Sequence, residues 1–267
     1  MMNLSYWILL PDIVLLATSL AFILSVRRKN GPWSYLGLGA LLWAVTVGIK
    51  FLVAIPVNPL VYQVLYLPNG LLAPGSILFY IYVGLLTGLT EVLLVWLLLR
   101  YTRLGDVPWA KAFAFGVGFG VFEALLLGLS NLATHISALI ASEPIPDATL
   151  SRLLVLNNPL YSFAPVIERL GTIFVHLFCS VLLFYGVSSG QARWFWLSFA
   201  YKSLLDSIVA FAQFWGTETL LKLWVIVALI MAFGCLAGWG TYQISRRFHQ
   251  AQTITVSELS LEEKGPS

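Results

Sequence analysis

"FGVGFGVFEALLLGL", residues 115–129, decides the class of fold. Every residue in it is a glycine, an aromatic or an aliphatic except Glu123. So continuous an apolar run reads as a helix buried on all sides or set in lipid, where a charged side chain costs about 3 kcal/mol on insertion scales. The glutamate is therefore expected to face the interior of a helical bundle. The glycines at 116, 118 and 120 let a neighbouring backbone approach and keep lipid away from it.

The rest of the chain agrees with this reading. Of its 267 residues, 59% are hydrophobic and 10% charged, against roughly 25% charged in soluble domains. Apolar runs near 5–26, 33–55, 76–99, 109–131, 165–187, 193–215 and 220–243 each reach the roughly 20 residues that cross a bilayer as helix. Backbone groups in lipid must be satisfied within the segment, and the alternation of a barrel strand is absent. The expected fold is all-α, a polytopic transmembrane bundle of about seven helices. Residues 1–247 form one membrane domain, and 248–267 read as a polar, disordered tail.

Lys and Arg in the connections orient the chain. Arg27, Arg28, Lys29, Arg100, Arg103, Lys111, Arg193, Arg246 and Arg247 fall on one side, and Arg152 and Lys222 on the other. This places the N-terminus outside and the C-terminus in the cytoplasm, in a multi-pass protein of the inner (cytoplasmic) membrane. Trp33, Trp109, Trp194, Trp196 and Trp239 near the inner helix ends, with Trp7 and Trp215 near outer ends, agree. No basic residue precedes the first run and no small-x-small site follows it, so it is expected to stay in the mature protein. The long connection 132–164, with "ASEPIPD" and "NNP", reads as an external loop holding a short interfacial helix.

The bilayer is the first partner. The net charge of +3 is scattered between apolar runs, which excludes a nucleic-acid stripe. Cys179 and Cys235, both in apolar runs, read as small hydrophobes and form neither a disulfide nor a metal site. There is no H-E-x-x-H, no phosphate-binding G-x-x-x-x-G-K-[ST], and no serine in the glycine-flanked setting of a rhomboid-type nucleophile. Asp206 is the only aspartate deep in a run, so an aspartate dyad is excluded too.

The ionisable groups within the spans are the candidate site. Counted from alternating helix ends, Glu123, His176, Lys202 and Asp206 fall mid-bilayer, Glu91 deeper, and Glu168 and Arg169 nearer the outside. Arg169 and His176, seven apart, share a helical face, and Lys202 and Asp206, four apart, can pair. Arg169, His176 or Lys202 are the expected partners of Glu123. The plain alternatives are a Lys202–Asp206 structural bridge, Glu168 and Arg169 reaching solvent, and a satisfied core histidine at 176. Asp12 and Lys50 read as an interfacial acid and a helix–helix partner, and His135 and His249 as exposed residues without a role.

Taken in order, "GLTEVLLVW" (88–96), "FGVGFGVFEALLLG" (115–128), "IERLGTIFVHLFCSVLLFYG" (167–186) and "AYKSLLDSIVAF" (200–211) resemble the YhfC-type intramembrane proteases, relatives of the CAAX-processing and bacteriocin-processing enzymes. The resemblance covers about 80–211, the protease-like core. Family motifs run as two glutamates with an arginine three residues on, G-H-G followed by E-A, E-R with a histidine seven beyond the arginine, and a histidine four before an aspartate. The resemblance implies peptide-bond hydrolysis in the membrane, with Glu91, Glu123 and His176 as catalytic residues. Glu168, Arg169, Lys202 and Asp206 are the implied binding residues, and a membrane peptide or protein is the implied substrate or partner.

Thr90, Leu94, Phe119 and Lys202 stand where the motifs carry glutamate, arginine and two histidines. A zinc site would then have His176 plus carboxylates alone, so no metal cofactor is expected. These departures leave open a catalytically degenerate relative that binds a membrane peptide without cutting it. The rival class is a non-enzymatic membrane subunit or small permease, whose charges form a structural or ion-coupling network. The site reading requires Glu123, His176 and either Asp206 or Lys202 to converge on one cavity.

Overall fold

A computed structural model describes residues 5–66, 70–140 and 147–262. After a short 3₁₀ turn, Tyr6–Ile8, the helices are α1 (Leu9–Arg28), α2 (Trp33–Leu65) and α3 (Pro74–Thr87). A π-helical turn, Gly88–Leu93, joins α3 to α4 (Leu94–Tyr101). Beyond it lie α5 (Trp109–Ile140), α6 (Asp147–Val155), α7 (Pro159–Ser162), α8 (Ala164–Ser188), α9 (Ala192–Trp215) and α10 (Leu220–Glu262). Among the described residues seven helical stretches are long and apolar enough to cross a membrane, α3, the π turn and α4 counting as one continuous span.

The observed spans are longer than the apolar runs. α2 extends ten residues past the expected end at 55 through Pro56 and Pro59, which remove backbone donors without ending the helix. α5 runs on to Ile140, well into the expected external loop. That loop otherwise holds α6 and α7, while most of "ASEPIPD" lies outside the described residues. The polar tail, expected to be disordered from 248, continues α10 to Glu262, no Gly or Pro interrupting it before 265.

α5 and α8 form the centre. Phe115, Val117, Ile173, Val175, Val181, Leu182 and Phe184 are sealed from solvent. The glycine run explains how α5 fits there. A Cβ on Gly116 would sit 2.7 Å from Leu177 and one on Gly120 3.0 Å from His176 Cβ, so this i, i+4 pair seats α5 on α8. Gly118 points the other way, where a Cβ would come within 2.0 Å of the Leu36 carbonyl oxygen of α2. α5 is thus gripped on two faces, and its glutamate lies one turn beyond Gly120. α3 and the π turn meet α9 in the same manner, a Cβ on Gly84 falling 2.1 Å from the Ser203 carbonyl oxygen.

Candidate functional site in the bundle interior

Five elements bring charge to one layer. α2 supplies Lys50, the π turn Glu91, α5 Glu123, α8 Glu168, Arg169 and His176, and α9 Lys202 and Asp206. The π turn adds a residue to the helical turn and so re-aims the side chains beyond it, a device common at functional sites. Here the turn buries Thr90, Glu91 and Val92, with Thr90 donating its hydroxyl proton to the Leu86 carbonyl at 2.9 Å.

The charges form two linked clusters. Arg169 donates through Nη1 to Glu123 Oε1 at 2.5 Å and through Nη2 to Glu168 Oε1 at 2.7 Å. The second oxygen of Glu123 faces His176 Nε2 at 3.2 Å. On the other side, Lys202 Nζ lies 3.0 Å from Asp206 Oδ2 and 3.4 Å from Glu91 Oε2. Glu91 Oε1 accepts from Lys50. The contact between Lys202 and Glu91 is an ion pair without hydrogen-bond alignment, so Glu91 Oε2 is buried with no hydrogen bond.

These groups line a cavity of about 680 Å³ bounded by α2, α3, α5, α8 and α9. That volume lies within the roughly 300–1,000 Å³ typical of ligand sites. Accessibility is graded across it. The side chains of Lys50, Glu123, Glu168, Arg169 and Asp206 remain about one-fifth accessible, whereas those of Glu91 and His176 are only 2% and 4% accessible. The former make the walls and the latter, with Lys202, the floor. Asn58, Ser130 and Gln213 add neutral polar groups.

All seven residues expected from sequence, Glu91, Glu123, Glu168, Arg169, His176, Lys202 and Asp206, line this one cavity. Lys202 partners Glu91 and Asp206 rather than Glu123. Lys50, read from sequence as a helix–helix partner, is one: it bridges α2 to Glu91 of the π turn, and it also lines the cavity, to which sequence reasoning had not assigned it. Its lone position in a long apolar run was the available signal. His135, expected to be exposed and idle, instead lies within α5 and bonds through Nδ1 to Asp12 Oδ2 of α1 at 2.6 Å. This pair ties α1 to α5 outside the cavity. Cys179 and Cys235 are free thiols.

The donor set does not suit a resident metal ion. Among the described residues no three His, Cys, Asp or Glu side chains are grouped to hold one. Glu123 has Arg169 on one oxygen and His176 on the other. The position between Glu91 and Asp206 is filled by the Lys202 ammonium. The ring of Phe119 lies tilted against that of His176, 5.4 Å between centroids, and supplies no donor.

A protein-family model described as YhfC intramembrane metalloprotease matches residues 13–231. The uncharacterized membrane protein YhfC of Bacillus subtilis (strain 168) is 28% identical over 169 residues, 57% of this chain and 64% of that protein. The match thus spans just under two thirds of the length of this curated relative. No solved structure matches. With the family model covering most of its length, from the first membrane helix into the last, this chain belongs to the YhfC intramembrane metalloprotease family.

Proposed function

We propose that the chain is an intramembrane peptidase that admits a membrane peptide to the cavity between α2, α5, α8 and α9 and hydrolyses it without a metal ion. The observation that carries this reading is the Glu123–His176 pair, 3.2 Å apart, facing a cavity large enough for a stretch of extended peptide. A carboxylate in hydrogen-bond reach of an imidazole is a proton-handling pair, and the low dielectric of a bundle interior strengthens its action.

In this reading the Glu123 carboxylate takes a proton from a cavity water whose oxygen attacks the scissile carbonyl carbon. The new C–O bond converts the carbonyl oxygen to an oxyanion, which the positive charges of Arg169 on the cavity wall and Lys202 on its floor favour. The proton then passes through His176 to the amide nitrogen as the C–N bond breaks, leaving a carboxyl and an amine terminus. Glu168, Asp206 and Lys50 hold Arg169, Lys202 and Glu91 in place. They are positioning residues.

A second reading rests on a specific observation. Each carboxylate in the cavity already has a cationic or imidazole partner, so taking a proton from water would mean giving up an ion pair. On that reading the chain binds a membrane peptide and does not cut it. Reconstituting the full chain in liposomes with a panel of single-span peptides, followed by mass spectrometry, separates the two. Fragments support hydrolysis, whereas crosslinking of intact peptide to the cavity without fragments supports the binder.

A further inference from the structure

The second large cavity, about 830 Å³, lies apart from the charged network, between α1, the start of α5, α8 and α10. It shares no lining residue with the peptide cavity. Its two ends differ in chemistry. The inner wall is apolar, with Phe22, Phe113, Phe174 and Leu177, the rings of Phe22 and Phe174 meeting edge to face at 5.4 Å. Gly238 on α10 deepens it, since a Cβ there would stand 3.5 Å from the Phe174 ring.

The other end is polar and cationic. It is built from the last turn of α1, where Arg28 and Lys29 are exposed, and from Ser25 and Ser245. The two serine hydroxyls donate to the Phe22 and Tyr242 carbonyls, so their protons are already committed. Neither Arg28 nor Lys29 enters an ion pair among the described residues. Among the described residues the cavity therefore offers two positive charges without carboxylate partners above an aromatic slot that runs into the membrane. Trp109, at the same helix end and in the lining, is the kind of ring that sits at headgroup level.

We propose that this groove binds one anionic phospholipid, its phosphate at Arg28 and Lys29 and an acyl chain along Phe22, Phe113 and Phe174. Basic pockets between membrane helices are suited to acidic headgroups, and the charge at the mouth selects an anionic lipid over a zwitterionic one of the same chain length. The slot is closed by α10 on one side and α1 on the other, so an occupied groove links the first and last membrane helices across the central pair.

The test is native mass spectrometry of the full chain in detergent, titrated with phosphatidylglycerol or with phosphatidylcholine of identical acyl chains. The expected result is one retained phosphatidylglycerol per chain, bound about tenfold more tightly than phosphatidylcholine. Arg28→Gln/Lys29→Gln should bring phosphatidylglycerol down to the phosphatidylcholine level, and Gly238→Leu should weaken both lipids by filling the slot. If the double variant does not fold, Lys29→Gln alone carries the test with about a threefold loss. Equal affinity for the two lipids, unchanged preference in the charge variants, or full displacement of the lipid by millimolar inorganic phosphate would overturn the proposal. So would a mass shift showing a second copy of the chain in place of the lipid.

Discussion

Arg169 Nη1 and Glu123 Oε1 meet 2.5 Å apart across the seam between α8 and α5, one turn from the glycines that let the two helices touch. The pair and the seam depend on each other. The two side chains stay about one-fifth accessible, and the close approach of α5 and α8 at Gly116 and Gly120 is what brings their helices within reach of one another.

The first prediction comes from the glycines. A Cβ at Gly120 meets side-chain and backbone atoms at 3.0 and 3.1 Å, which α8 can relieve by a small shift. At Gly118 it meets a backbone carbonyl at 2.0 Å, with no flexible side chain to yield. Gly118→Ala should therefore lower thermal stability in detergent well beyond Gly120→Ala, the milder change costing about 1–3 kcal/mol. Equal melting temperatures for the two variants would show that the α2–α5 contact is looser than described.

A second prediction concerns Glu91, whose side chain is 2% accessible and whose direct hydrogen-bonding partner is Lys50. Lys50→Met leaves that carboxylate dependent on Lys202 alone and should cost about 3–5 kcal/mol. Lys50→Met/Glu91→Gln removes both members and should recover a substantial part of the loss. Chemical denaturation in mild detergent measures both. Lys50→Met with wild-type stability would mean that the pair contributes nothing.

The bundle itself was legible in the sequence because the bilayer permits few solutions. Runs such as 109–131 and 165–187 admit only helix, and the expected starts at 33, 109 and 220 coincide with those observed. Helix ends were less legible at 55, 131 and 243, since a helix in a bundle continues past the apolar stretch until something stops it. The convergence of Glu123, His176, Lys202 and Asp206 could be read from their depth. The pairing could not, because depth does not fix rotation about the helix axis. The π turn at Gly88–Leu93 rotates Glu91 toward Lys50 and Lys202, and nothing in "GLTEVL" announces it. His135 was missed for a similar reason, its helix extending beyond the apolar run that was counted.

The donor set leads to a third prediction. Purified protein should carry well under one zinc per chain by elemental analysis, since His176 is the only imidazole on the cavity among the described residues and Lys202 holds the cation position. Phe119→His/Lys202→His places two more imidazoles around the Glu123–His176 pair and should raise bound zinc several-fold. One tightly held zinc in the wild-type protein would refute the metal-free account.

Orientation gives a fourth. Nine basic residues at one set of helix ends against two at the other are the basis for expecting the C-terminus in the cytoplasm. A C-terminal tag should react with an impermeant reagent only after the membrane is opened. Labelling on intact cells would reverse the topology and, with it, the side from which the cavity is reached.

The most direct test of the central claim, that Glu123 activates water in the cavity, is peptide cleavage by wild-type and Glu123→Gln protein in proteoliposomes containing a metal chelator. Glutamine keeps the size and hydrogen-bonding capacity of the side chain beside Arg169 and His176 but cannot accept the water proton. The account predicts fragments from the wild type that persist under chelation. It also predicts at least a hundredfold slower cleavage by Glu123→Gln, the lower end of the ~10²–10⁴ range for losing a general base, with the variant still folded. Cleavage by folded Glu123→Gln at the wild-type rate, or wild-type cleavage abolished by the chelator and restored by zinc, would contradict it.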